Sequence, residues 1–170
     1  PPARLDCPYA RYSGRRPKRF RREDRSLFGL GTLPFGRMPP RLLHYSDLEN
    51  AYDTPERVAR VAGLLGQRRG PDALVAGSGD DTGPGVLSLV TDGRQALDLF
   101  GAVDPDVETV GNHDLDNGPA ALEAVVADSP QEWVLANVTV DGERFGAAAG
   151  VEPATTVTVD GTDVGVVGVI

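Results

Sequence analysis

The stretch VGNHDLDNG, residues 110–118, closes the run DVETV at 106–110 and leads into PAALEAVVADS at 119–129. DVETV reads as a strand, and Pro119 opens a segment whose apolar residues recur at helical spacing. The residues between are therefore the exit loop of a strand in a βα unit. That loop holds Asn112, His113, Asp114 and Asp116, and His113 is one of only two histidines in 170 residues. In open α/β sheets, ligands are held in the crevice at the carboxyl ends of the strands, so an imidazole set among oxygen donors there marks a candidate site.

The flanking sequence repeats the arrangement. RLLHYS (41–46) is a short apolar run that reads as a buried strand, and its exit carries Asp47, Glu49, Asn50 and Asp53. Thr54 is placed to cap a helix starting at Pro55, with Val58, Val61, Ala62 and Leu65 on one face and an end near Gly70. DALVAG (72–77) is a second strand leaving through SGDDTGPG, with Asp80 and Asp81, and LSLVTDGRQALDLFGAV (87–103) supplies a helical segment that Gly93 interrupts. EWVLANV (132–138) reads as a fourth strand, and TVTVDGTDVGVVGVI (156–170) as a hairpin around Asp-Gly. Strands alternating with helices predict an α/β fold with a mainly parallel sheet flanked by helices.

Three exits thus deliver acidic groups to one sheet edge. Like charges brought that close repel by several kcal/mol at an effective dielectric of about 20, and a bound divalent cation relieves the penalty. Taken singly, Asp47, Asp80 and Asp114 read as solvated loop residues; taken together, at the ends of consecutive strands, they read as a site. Glu49 stands between ligand and solvated residue, and His44 reads as a packed, hydrogen-bonded strand residue. GDDTGPG lacks the lysine and hydroxyl of a phosphate-binding loop.

Composition divides the chain. Residues 1–37 hold 10 Lys+Arg against 3 Asp+Glu, net +7, and residues 38–170 hold 7 against 22, net −15, with no lysine from Met38 onward. The first 37 residues carry no apolar periodicity. They read as a disordered or extraneous N-terminal extension, with a nucleic-acid-binding arm or a twin-arginine export signal as the alternatives. The Gly- and Pro-broken segment after SGRRPKRF does not suit export, which predicts a cytoplasmic protein. The acidic remainder resembles a halophile's cytosolic protein, hydrated by its carboxylates in screening salt, and predicts no nucleic-acid binding by the main domain. No stretch approaches the roughly 18 apolar residues of a membrane span, and the single Cys7 excludes an internal disulfide.

In this order, LLHYSDLEN, AGSGDDTGPG and VGNHDLDNG resemble the motifs of the calcineurin-like metallophosphoesterases, within them the 5′-nucleotidase branch, and WVLANV is similar to a strand that often follows in nucleotidases. The resemblance covers roughly residues 40–170. It implies a layered metallophosphoesterase-like fold and a hydrolase of phosphate monoesters, with nucleotides as a candidate class, acting through water activated by two divalent metal ions. It further implies that Asp47 binds one metal, Asp80 bridges both, and Asn112 binds the second. His113 would face the phosphate and Asp116 would orient it. Glu49 stands where the family's Asp-x-His pattern has histidine, which favours Mn²⁺ or Mg²⁺ over Zn²⁺. The family's later histidine motifs have no counterpart, since the only histidines are His44 and His113. The expectation is the N-terminal part of a longer enzyme that by itself could be inactive. The rival readings are a non-catalytic α/β ligand-binding module of the same fold and an RNA-associated protein using the basic arm.

Overall fold

The computed structural model describes residues 39–170, so the expectations for the basic segment 1–37 lie outside the described residues. In chain order the elements are β1 (Arg41–Tyr45), α1 (Pro55–Arg68), β2 (Ala73–Gly77), α2 (Val86–Thr91), α3 (Ala96–Val103), β3 (Val107–Thr109), α4 (Pro119–Asp128), β4 (Glu132–Val134), β5 (Thr139–Val140), β6 (Glu143–Arg144), β7 (Val151–Glu152), β8 (Ala154–Val159) and β9 (Thr162–Val167). Short 3-10 helices occupy Glu49–Asp53 and His113–Leu115.

The run ALVAG of β2 is buried at four of five positions, as a strand covered on both faces of a parallel sheet must be. Around it the sheet has the order β1-β2-β3-β4-β7, parallel throughout. Side chains alternate across it. Val75 and Trp133 point to one face, where Leu99, Phe100 and Val103 of α3 and Leu122, Val125 and Val126 of α4 close the main core. The ring edge of Phe100 meets Trp133 at 5.9 Å between centroids, a T-shaped contact. Leu74, Val107 and Val134 point to the other face and pack against Val157, Val159, Val164 and Val166. The helices therefore flank one face, and the β8–β9 hairpin, turning at Asp160-Gly161 with both residues at positive φ, covers the other.

Several sequence expectations change in detail. Pro55 is the first residue of α1, but the Thr54 side chain makes no capping bond, and α1 ends at Arg68. The segment 87–103 is two helices, parted where Asp92 (φ 54°) and Gly93 (φ 80°) turn the chain left-handed. Strand pairing in EWVLANV stops at Val134. β7, the fifth strand of the sheet, and the small β5–β6 ribbon carry no signal in the sequence. Each strand is only two residues long, too short to show a periodicity.

Candidate metal centre

The exit loops of β1, β2 and β3 are stitched together by main-chain hydrogen bonds. Asp47 N–H donates to Gly79 O (3.1 Å) and Glu49 N–H to Asp80 O (3.1 Å). His113 N–H donates to Asp80 Oδ1 (2.8 Å). Asp47, Glu49 and Asp80 all hold positive φ, at 53°, 39° and 57°. Left-handed backbone costs a non-glycine residue free energy and clusters where structure is built for a ligand. Close approach is also required at Gly111, where an added Cβ would strike the Asp80 carboxylate and main chain.

These bonds bring one imidazole and two carboxylates together. Among the described residues, ligand atoms of Glu49, Asp80 and His113 lie within 4.8 Å of one another. Two carboxylates at this spacing offer hard oxygen donors to a divalent cation, with the imidazole beside them, so the residues fit a metal. Asp47 stands outside this triplet, tied to it through its main chain. Asn112 is exposed and precedes the 3-10 turn that presents His113. His44 is exposed rather than packed, with Nε2 2.8 Å from Ser78 Oγ.

His113 Nδ1 lies 2.9 Å from Asp116 Oδ2. The bond to this carboxylate raises the His113 pKa above the ordinary imidazole value, against the opposing effect of desolvation. A raised folded-state pKa means that the pair's stabilising contribution is complete below the unfolded-state pKa and is lost as pH rises through the folded one. Asp116→Asn therefore moves the His113 titration to lower pH, as followed by NMR of the imidazole in metal-free protein. An unmoved titration would show that Asp116 does not act on the ring.

Beneath the ligand loops lies a layer of buried acids. Asp114 accepts from the N–H groups of Asp80 (2.9 Å), Asp81 (3.0 Å), Thr82 (2.8 Å) and Gly111 (2.8 Å), and from Thr82 Oγ1 (2.8 Å). Burial raises its pKa, and the bonds from Gly111, Thr82 and Asp80 pull it back. Asp81 and Glu108 are fully buried. Burial and then the charge of Asp114 push Asp81 up to about 8, and burial and then Asp81 hold Glu108 well above the carboxylate range. In the sequence Asp114 is one of several acids in a cluster. Its role as the acceptor that shapes the β2 exit is not visible there, nor is Glu108, and only the run of main-chain N–H groups facing Asp114 reveals the former.

Beside the His113–Asp116 pair opens a cleft of about 390 Å³, walled by Pro84, Val86 and Leu89 and by Asn50, Asp116 and Asn117. No family model and no curated protein matches the chain. Solved structures do. A 5′-nucleotidase precursor from Thermus thermophilus aligns with a TM-score of 0.64 at 23% identity, over 75% of this chain and 28% of its own. The NAD nucleotidase of Haemophilus influenzae gives 0.58 at 17% identity, over 75% and 26%.

The chain has the calcineurin-like phosphoesterase fold. A calcineurin-like phosphoesterase from Bacillus subtilis, YfkN, gives 0.56 at 21% identity, over 75% of this chain and 47% of its own. The chain thus spans between about a quarter and a half of the lengths of these three hydrolases. Within this calcineurin-like phosphoesterase fold, the exits of β1, β2 and β3 carry the candidate ligands, and a group able to hold a divalent metal stands at their meeting point. Among the described residues no helix is long and apolar enough to cross a membrane.

Proposed function

We propose that the protein is a metal-dependent phosphoesterase that hydrolyses phosphate monoesters, with nucleotides as a candidate substrate class. The observation that carries this reading is the convergence of Glu49, Asp80 and His113 at the carboxyl edge of the sheet, with Asp116 bonded to the imidazole. Asp47, Glu49, Asp80 and Asn112 would hold two divalent cations, Mn²⁺ or Mg²⁺ in preference to Zn²⁺, because all four offer oxygen donors. Divalent cations held there would supply neutralisation of phosphoryl charge and activation of water for in-line attack.

The chain's own groups do the rest. His113 stands close enough to Glu49 and Asp80 to reach a phosphoryl group held at them. As imidazolium it donates to a non-bridging oxygen or protonates the leaving alkoxide. Asp116 fixes the ring and favours its charged form. The Asp80 carboxylate, through the 2.8 Å bond from His113 N–H, sets the position of the imidazole relative to the ligands. The cleft beside Asp116 provides room for the alcohol half of the ester.

The acidic composition of residues 38–170 suits assay in high salt. In the full-length protein, Mn²⁺ stimulates hydrolysis of a generic aryl phosphate, chelation abolishes it, and Mn²⁺ restores it. Tight nucleotide binding with no turnover at any metal concentration would instead establish a non-catalytic module of the same fold.

A further inference from the structure

Glu108 is the least expected residue in the domain. It sits in β3, a strand covered on both faces, and no part of it reaches solvent. Its carboxyl occupies space that exists only because residue 77 is glycine, since a Cβ at Gly77 would collide with it. Tyr45 OH, at the end of β1, donates to Glu108 Oε2 at 2.6 Å. On the other side the carboxyl meets that of Asp81. Glu108 Oε1 and Asp81 Oδ2 have no other donor within reach. The two carboxyls share a side-chain hydrogen bond across this contact.

The pair connects two of the three loops that carry the candidate ligands. Asp81 follows Asp80 directly, and its second oxygen, Oδ1, accepts from Leu48 N–H at 3.3 Å. Leu48 lies between Asp47 and Glu49 and is itself buried. A continuous path therefore runs from Tyr45 OH through Glu108 and Asp81 to the main chain between the two acids of the β1 exit. Burying such a pair brings little stability, because a well-packed apolar residue of similar size usually serves as well or better. What the acid does that an apolar residue cannot is accept from Tyr45 and bond Asp81 at once.

We propose that Glu108 is a positioning residue for the metal centre, cross-tying the ligand-bearing exits of β1 and β2 from below through Tyr45 and Asp81. The proposal rests on the metal-centre reading given above. Outer residues that orient metal ligands change metal affinity by about 10–100-fold when replaced.

The test is Mn²⁺ affinity of the full-length protein, by calorimetry on metal-free samples, together with the melting temperature without metal. Glu108→Met keeps the length of the side chain and removes both hydrogen bonds. It leaves the Tyr45 hydroxyl and the Asp81 carboxyl without that partner, so the metal-free melting temperature falls, and in the folded protein Mn²⁺ binds about 10–100-fold more weakly. Glu108→Gln, which keeps an acceptor for Tyr45 and a donor for Asp81, restores affinity to within about threefold of the parent. Tyr45→Phe removes a single hydroxyl and weakens Mn²⁺ binding by about threefold or more, and it decides the matter if the Met variant fails to fold. Unchanged affinity in both Glu108→Met and Tyr45→Phe overturns the assignment while leaving the metal centre intact. A parent protein that binds no Mn²⁺ overturns the metal-centre reading itself, and this proposal with it.

Discussion

Asp80→Asn lowers Mn²⁺-dependent kcat/KM by about a thousandfold or more while leaving the melting temperature of the metal-free protein within a few degrees of the parent. The loss corresponds to roughly 4 kcal/mol, within the several kcal/mol that cation stabilisation of a phosphoryl transition state supplies. Asparagine fills the same volume and retains an oxygen to accept from His113 N–H, the bond that Asp80 Oδ1 makes at 2.8 Å. It tolerates the left-handed φ of 57° at this position better than most residues. The anionic ligand is removed and little else changes. Steady-state kinetics on an aryl phosphate and a thermal melt separate the two effects, and hydrolysis at the parental rate would rule out Asp80 as a metal ligand.

The largest effect on stability is expected one layer deeper. Asp114→Ala takes one carboxylate away from four main-chain N–H groups and the Thr82 hydroxyl. Each buried donor left without an acceptor costs about 1–3 kcal/mol, and water entering the space recovers part of the sum. A net loss of about 3–5 kcal/mol follows, in the range seen when one member of a buried charged network is removed. Urea denaturation measures it directly. Asp114→Asn does not rescue, because its amide turns a donor toward donors. A loss under about 1 kcal/mol in the alanine variant would mean that the 79–82 loop keeps its form without Asp114. Metal binding weakens in parallel, since Asp80 and Asp81 N–H groups are among those released.

These two residues separate what was legible in the sequence from what was not. Asp80 stands out because Gly-Asp follows a strongly apolar run, and a strand exit needs only local signals to be seen. Asp114 stands beside His113 in GNHD, yet nothing local distinguishes an acid that holds a ligand from one that holds a loop. The distinction is made by which N–H groups converge on it, and those come mostly from residues 80–82, more than 30 positions away. The imidazole is a similar case. Its three-residue spacing from Asp116 allows their contact, whereas its place within 4.8 Å of Glu49 and Asp80 depends on how three loops meet.

By itself the sequence determined the order of strands and helices, the parallel sheet they imply, and the three acidic exits at its carboxyl edge. Those features follow from apolar periodicity, Pro and Gly punctuation and turn chemistry, which act over a few residues. Tertiary structure alone decided that β7 joins the sheet, that a β8–β9 hairpin rather than helices covers the second face, and that Glu108 lies inside. In DVETV the alternation sets Glu108 opposite Val107 and Thr109, which in a half-exposed strand would mean solvent. Here both faces are covered and Gly77 leaves room for a carboxyl, so the same alternation carries the acid into the core beneath the candidate metal ligands.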